Sequence, residues 1–477
     1  MGAYASQLNC VILAAGEGKR MHASGSKVLC KVAGKEMLRW VIDAARASQV
    51  GELCVVASGK DVESAAEGCE ICEQTKRLGT GHAVMCARGF LEPRAQGDTL
   101  VLCGDAPFID RDTICGALDL HRLQGNAVTV ISAEVEKPAG YGRIIRRGDS
   151  LAAIVEDRDC NDAEAEIQEI NSGAYWFKTR ALLEALESIK NNNAQGEYYL
   201  TDAVAIIIAK GLRAGCFRAE NEFVALGANR PSELLRLNEI ANRSAIERHL
   251  ENGVHFVCAD GVVIGPDVEL GAGCTVEPNT QLYGRCKIGE GCVLGPGTLL
   301  TDCEVGEGCL INASQCAQSK IGSRVRIGPY VNIRPGSLIA DEVKIGDFVE
   351  IKNSSIGRGS SIAHLTYIGD SDVGSFCNFG CGVVVVNYDG EEKRRTTVGD
   401  YAFIGCNTNL IAPVSVGDAA YTAAGTTVAQ DVPAGALALG RVKQRNIEGW
   451  AAKKLQKYIE KKGGAPYAPQ QFGGNLK

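Results

Sequence analysis

Aliphatic residues recur at every sixth position from residue 264 onward, and no other feature of the chain restricts its fold so tightly. Ile264, Leu270, Val276, Leu282, Ile288, Leu294 and Leu300 form a first unbroken series, continued after a five-residue step by Val305 and Ile311. A second series is Ile321, Ile327, Ile333, Ile339, Ile345 and Ile351. Shorter ones follow: Ile356, Ile362 and Ile368; Val373, Phe379 and Val385; Val398, Ile404, Leu410 and Val416. A period of six fits neither a helix face nor one long alternating strand. It is the hexapeptide signature of a parallel β-helix, in which each hexad makes a short strand and a turn and three hexads close a triangular coil. Stacked coils would line up one aliphatic side chain per hexad and satisfy one another's backbone hydrogen bonds.

The repeat also accounts for part of an unusual cysteine content, 20 in all. Cys274, Cys286, Cys292, Cys303 and Cys309 each lie two residues before a repeat aliphatic, a spacing that points them into the same interior as small apolar fillers. Cys69 and Cys72 form a lone CxxC without the second pair that a metal site requires. The amino-terminal segment lacks a basic region and a long apolar run, so a cytoplasmic protein with reduced thiols is expected.

The first 230 residues follow a different grammar. Strand-like runs at 10–14, 53–57, 100–103, 127–132 and 174–177 alternate with helical patterns at 38–47, 83–88, 113–124 and 180–187. That order reads as an α/β unit with a mostly parallel sheet. A helical stripe of Leu234, Leu237, Ile240, Ala241 and Leu250 joins the two halves, and a further amphipathic pattern runs through Ile447, Trp450, Ala451, Leu455, Tyr458 and Ile459 before a flexible-looking tail. The net charge of −7 gives no global attraction for nucleic acid, and no apolar stretch approaches the length of a membrane span.

Chemistry-bearing residues gather at strand ends. Leu13, Ala14, Ala15 and Gly16 lead from the first strand into a glycine turn that includes Gly18, Arg20 and Met21. It is neither a dinucleotide fingerprint nor a P-loop, yet its amides can cradle phosphates, with charge from Arg20 and from Lys27 beyond it. Gln74 precedes Gly79, Thr80, Gly81 and His82, a turn that can offer amides to a base. Asp105 closes an apolar run, at the strand end where open α/β sheets bind ligands, and is a natural magnesium ligand beside phosphates. In the repeat region His364 lies two residues after Ile362, and Arg334 and Lys352 lie one coil apart on one edge. The hexads break between Val385 and Val398 at an excursion that begins with Asn387, Tyr388 and Asp389.

The ordered motifs LAAGEGKRM, Q-x4-GTGHA, GDAP, GYGRI and GANR, followed by hexads carrying HLTYIGD and NYDG, resemble a bacterial bifunctional family. Its members are N-acetylglucosamine-1-phosphate uridylyltransferases joined to glucosamine-1-phosphate acetyltransferases, and the resemblance spans residues 8 to about 452. It implies a Rossmann-like nucleotidyltransferase domain with a mixed sheet over 1–230, a linker helix over 231–250, a left-handed parallel β-helix over 251–440 and a helix with a tail over 441–477. It further implies UTP and acetyl-coenzyme A as co-substrates, Mg2+, a homotrimer, and no nucleic-acid or membrane partner. Carried over by resemblance, Leu13 to Gly16, Arg20, Lys27, Gln74, Gly79 and Thr80 hold uridine and phosphates, and Asp105 and Asn229 hold magnesium. Gly142, Glu156 and Asn171 hold the sugar, while Lys27 and Arg20 neutralise the transferring phosphate. His364 becomes the general base of acetyl transfer, with a carboxylate such as Glu350 to orient it. Arg334, Lys352, Tyr367, Asn378 and Lys393 match contacts to the sugar phosphate, and Asn387, Tyr388, Cys406, Ala424 and Arg441 match contacts to the cofactor.

Several positions depart from the family pattern. Ser26 stands for a proline, Ala106 for a valine, Cys381 for an alanine and Cys406 for a serine, and the Cys406 thiol is a weaker hydrogen-bond donor. Two other readings stay open: a single-activity sugar-1-phosphate nucleotidyltransferase with a structural β-helix, and a noncatalytic scaffold of the same domain pairing. The scaffold has no need of Arg20, Lys27, Asp105 and Asn229 together.

Overall fold

A computed structural model describes residues 8–16, 18, 21, 25–148, 150–191 and 196–466. Arg20 and the end of the expected tail, 467–477, lie outside the described residues. The chain divides into two compact units, Met1–Arg324 and Val325–Lys477, so the division falls within the hexapeptide repeats.

In the first unit the central sheet runs in the order Ala214–Arg218, Val128–Glu134, Glu169–Lys178, Asp98–Cys103, Leu8–Leu13, Glu52–Ala57, Glu70–Glu73. The sheet is mixed: Glu169–Lys178 is antiparallel to both of its neighbours, whereas Leu8–Leu13 is parallel to both of its own. Alternate residues of a strand face opposite apolar layers. Cys10 and Ile12 pack with the helices Met37–Ala47 and Arg111–Leu123, while Val11 packs toward Thr80–Cys86, Thr179–Leu186 and Leu200–Ala209. Burial on both faces explains why these strands read as unbroken apolar runs. The sequence reading missed the short or charge-rich strands Glu70–Glu73, Arg143–Arg147 and Ala214–Arg218, and also Ser150–Val155, the apolar partner of Arg143–Arg147 in a hairpin.

The linker helix spans Pro231–Glu251 with its proline in the first turn, where no amide donor is needed. Glu233 accepts from the Asn229 and Arg230 amides at 2.6 and 3.2 Å, which fixes the backbone of Asn229 just before the helix. Leu237 and Ala241 are buried, but Leu250, placed on the same stripe by its spacing, is half exposed. Asn242 ties the helix to the first repeat coil, donating to Val262 O at 2.7 Å and accepting from the Ile264 amide at 2.9 Å.

The hexads of both units coil as a left-handed parallel β-helix. In the first unit, ladders such as Val263–Ile264, Gln281–Tyr283, Leu299–Thr301 and Gln315–Ala317 pair in parallel. In the second, Asn332–Ile333, Glu350–Lys352, Tyr367–Gly369, Val384–Val386 and Asn409–Ile411 do the same, with Ile333 opposite Ile351 and Ile351 opposite Ile368. Every residue singled out by the six-residue period, the aliphatics and Phe379 alike, is buried from Ile264 to Val416. The five repeat cysteines are buried as expected and remain thiols; Cys274, Cys292 and Cys309 also donate to carbonyls of the next coil at 3.0–3.1 Å. Burial pushes the Cys286 thiol up to about 12, which leaves it unreactive at neutral pH. Serine or threonine fills the same slot elsewhere, as at Thr298 and Ser360, with equivalent bonds to the next coil. The last helix, Trp450–Lys462, buries none of its residues within the chain.

Removing one rung of the interior column opens a cavity that rigid coils cannot refill. Ile351→Ala is expected to destabilise the second unit by about 2–5 kcal/mol, read by denaturant unfolding.

Candidate active sites

The glycine turn after Leu8–Leu13 wraps Lys27. A Cβ on Gly16 would meet Lys27 Cε at 3.0 Å and one on Gly18 would meet Lys27 Cβ at 3.0 Å, so both glycines pack closely against this lysine. The Lys27 ammonium bridges Asp105 and Asn229, forming an ion pair with Asp105 Oδ2 and donating to Asn229 Oδ1 at 2.9 Å. Two hard oxygens that already share one cation form a donor set that suits a magnesium ion completed by water and phosphate oxygens. Among the described residues no cluster of three or more His, Cys, Asp or Glu is placed to hold a metal by itself.

Gln74 is buried, its Nε2 within 3.2 Å of Gly79 O and 2.9 Å of His82 Nδ1. Gly79 has φ +105°, and a Cβ there would strike Tyr198 O at 2.5 Å. Thr80 starts the following helix and its Oγ1 accepts from the Leu200 amide at 3.1 Å. Arg77, not singled out from the sequence, donates through Nε to Ala15 O at 2.9 Å and so braces the turn. Gly142, Glu156 and Asn171 come together: a Cβ on Gly142 would lie 3.6 Å from Glu156 Oε2 and 3.7 Å from Asn171 Cβ. Burial raises the Glu156 carboxyl above its usual range, and a bond from Thr201 partly opposes the shift. Ser26, where the family pattern has proline, closes its turn by donating its amide to Asp61 Oδ2 at 3.0 Å.

On the second unit, successive coils place Asp347, His364, Cys381, Cys406 and Ala424 at one corner. The carbonyls of His364, Cys381 and Cys406 accept from Gly382, Asn407 and Gly425 on the following coil at 2.7–2.9 Å. His364 has φ +60°, is exposed, and sets Nδ1 2.9 Å from Asp347 Oδ1. The carboxylate paired with His364 is therefore Asp347 and not Glu350, which pairs with Arg334 at 2.9 Å. The observed register sets this coil at seventeen residues and so puts Asp347 opposite His364, whereas Glu350 lies past the corner on the next face.

At the far end of that face, Lys352, Lys393, Asp370 and Asn387 cluster around Tyr367. A Cβ on Gly369 would strike the Tyr367 hydroxyl and the Asn387 amide. Asn387 Nδ2 donates to Asp370 Oδ2 at 2.5 Å, and Lys352 Nζ stands 4.0 Å from the same oxygen. The neighbouring Lys393 amine, helped by desolvation, holds Lys352 below the usual lysine range. Asn378 is exposed on the adjacent face, one corner away from this cluster. Arg441 donates to Ala424 O at 3.0 Å, joining two of the expected cofactor residues. Tyr388 is exposed on the excursion and bonds to Gly390 O at 2.5 Å.

Arg395 anchors the return of the excursion, bonding Asp372 through two nitrogens at 2.5 and 2.6 Å and donating to Asn353 O and Ser371 O. Its guanidinium draws the Asp372 carboxyl down to about 2. A depressed carboxylate stabilises the fold above its ordinary value and loses that contribution as pH falls through the lowered one. The neutral-pH stability advantage of the native chain over Arg395→Ala should therefore shrink between about pH 4 and pH 2, and carboxyl NMR should show Asp372 titrating near the ordinary value of about 4 in the variant.

Comparison with known proteins agrees with both halves. Residues 10–198 match the MobA-like NTP transferase domain family, and residues 267–302 and 318–353 match the bacterial transferase hexapeptide (six repeats) family. A protein of Clostridium acetobutylicum named "Bifunctional protein GlmU" is 44% identical over 450 residues, covering 93% of this chain and 98% of the relative. Proteins of the same name from Clostridium beijerinckii and Acetivibrio thermocellus are each 44% identical, over 449 and 451 residues, covering 93% and 94% of this chain and 98% of each relative. With that identity running over nearly the whole length of both proteins, the chain belongs to the GlmU family of bifunctional enzymes.

Proposed function

We propose that the chain makes UDP-N-acetylglucosamine in two reactions. Acetyl passes from acetyl-coenzyme A to the amine of glucosamine 1-phosphate on the second unit. The N-acetylated sugar phosphate then takes uridylyl from UTP on the nucleotidyltransferase lobe, and pyrophosphate leaves. The observation that carries this reading is that a single GlmU-family chain holds both the Lys27–Asp105–Asn229 cluster and a histidine whose Nδ1 faces a carboxylate beside a cationic edge.

In uridylyl transfer the nucleophile is already anionic, so the barrier comes from bringing two anions together in line. Lys27, paired in the free site with Asp105, would neutralise the transferring phosphoryl oxygens, with the Ala15 and Gly16 amides as further donors. Asp105 and Asn229 would hold a magnesium ion, whose charge offsets that of the triphosphate. Gln74 and Gly79 line the base side, and Gly142, Glu156 and Asn171 the sugar side.

In acetyl transfer the substrate ammonium must lose a proton before its nitrogen can attack the thioester carbonyl. With Nδ1–H directed at Asp347, the Nε2 lone pair of His364 is free to take that proton. The nitrogen–carbonyl bond forms as the carbon–sulfur bond breaks, and the departing thiolate recovers a proton. Arg334, Lys352 and Lys393 balance the sugar's phosphate, Tyr367 and Asn378 contact the sugar, and Asn387, Tyr388, Cys406, Ala424 and Arg441 contact the cofactor.

Stacked, exposed aromatic pairs support assembly as a homotrimer: Tyr330 with Phe348 and Phe376 with Tyr401 in the turns at 5.3 Å, and Phe403 with Tyr421 on adjacent strands at 5.1 Å between ring centres. No described helix is long and apolar enough to cross a membrane, and the free thiols suit a cytoplasmic enzyme whose product feeds bacterial cell-wall synthesis.

Separate assays test the division of labour. Lys27→Ala should lower uridylyl transfer by about 10²–10³-fold and spare acetyl transfer. His364→Ala should lower acetyl transfer by about 10²–10⁴-fold and spare uridylyl transfer. Failure of the native protein to acetylate glucosamine 1-phosphate would favour the single-activity nucleotidyltransferase.

A further inference from the structure

Of the twenty cysteines, Cys381 and Cys406 are the two that are exposed, and they occupy equivalent places on neighbouring coils. The register is direct: Asn378 lies opposite Phe403 and Phe379 opposite Ile404. The two bonds that bracket the thiols continue it, from Gly380 N to Ile404 O at 2.8 Å and from Asn407 N to Cys381 O at 2.7 Å. Residues in register on adjacent strands sit about 4.8 Å apart, inside the window of about 4.4–6.8 Å that a disulfide needs between its Cα atoms. The Cys406 sulfur already leans toward the preceding coil, 2.9 Å from where a Cβ on Gly380 would stand. Among the described residues neither sulfur is committed to a hydrogen bond, in contrast to the buried repeat thiols, which donate to carbonyls. No packing demand explains a thiol at either place, because both side chains face outward.

We propose that Cys381 and Cys406 form a reversible disulfide that closes the acetyl-transfer corner when thiols around the protein are oxidised. His364 occupies the same corner one coil before Cys381, so a bridge would tighten the corner next to the base and draw the Cys406 sulfur away from the cofactor's path. This rests on the acetyltransferase reading of that corner. The oxidant is a low-molecular-weight disulfide. One cysteine thiolate attacks it, forming a mixed disulfide and expelling a first thiolate. The second cysteine thiolate attacks the protein-side sulfur and expels the other thiolate. Two protein S–H bonds become one S–S bond, two electrons reduce the small disulfide, and the two cysteine protons end on its two thiols. Excess dithiol reverses the exchange. The buried cysteines, packed among aliphatic side chains, take no part.

The experiment treats the full-length protein with diamide, a small azo oxidant that itself accepts the two electrons and two protons, and assays both reactions before and after addition of excess dithiothreitol. Expected are a mass lower by two hydrogen atoms, a cross-linked peptide pair joining Cys381 to Cys406, and acetyl transfer reduced by about tenfold or more while uridylyl transfer is unchanged. Dithiothreitol should restore both mass and rate. Cys381→Ala should acetylate normally when reduced and should neither lose the two hydrogens nor respond to diamide. Bridges that join other cysteines, a Cys381–Cys406 bridge without loss of acetyl transfer, or a Cys381→Ala protein as sensitive as the native one would each overturn the proposal. Should the reduced native protein acetylate nothing, the functional reading fails, and the bridge is then judged by mass alone.

Discussion

Coil-on-coil register is the constraint on which the second unit depends. Each coil donates its strand amides to the carbonyls of the next, so a residue's place on the surface is set by its position modulo one coil. Asp347, His364, Cys381, Cys406 and Ala424, scattered over nearly eighty residues of chain, become one contiguous column for this reason alone. Burial enforces the register: a slip by one residue would turn interior aliphatics such as Ile351 and Ile368 toward water, each at about 1.5–3 kcal/mol.

Both candidate sites hold their cations on carboxylates before any substrate arrives. Lys27 rests on Asp105 and Asn229, and Lys352 stands by Asp370 with Lys393 crowding it. Burial pushes the Asp370 carboxyl up, but bonds from Asn353 and Asn387 and the charges of Lys352 and Lys393 bring it below its usual range. A lysine kept in place in this way needs little reorganisation to meet a phosphate, which is the sense in which such sites are preorganised. The excursion over 387–395 serves the same end, since Asn387 at its start and Arg395 at its return are both bonded to aspartates of the preceding coil.

Cysteine plays two physical roles in this chain. In the interior it is a small filler whose thiol, like the Thr298 or Ser360 hydroxyl, reaches the next coil's carbonyl, and burial keeps it protonated. At the corner of Cys381 and Cys406 the same residue type faces solvent, with its sulfur uncommitted. The lone CxxC fits neither role: Cys72 approaches Cys54 at 3.1 Å, while Cys69 lies 3.9 Å from the Arg46 guanidinium, so its two sulfurs have different partners.

The six-residue period, by itself, determined the β-helix, its interior aliphatics and the inward cysteines, because a repeat locked to one strand and one turn admits a single way of burying every sixth side chain. The linker helix and the strand-end place of Asp105 were legible for a similar reason, since proline and apolar runs carry strong local preferences. Only the tertiary structure decided the rest. Strands such as Arg143–Arg147 and Ala214–Arg218 carry little apolar signal and form because neighbours in the sheet complete their hydrogen bonds. The antiparallel setting of Glu169–Lys178 is likewise a matter of what lies on either side of it. The partner of His364 turned on which carboxylate the corner brings within reach, and side-chain geometry gave that place to Asp347 while Arg334 claimed Glu350.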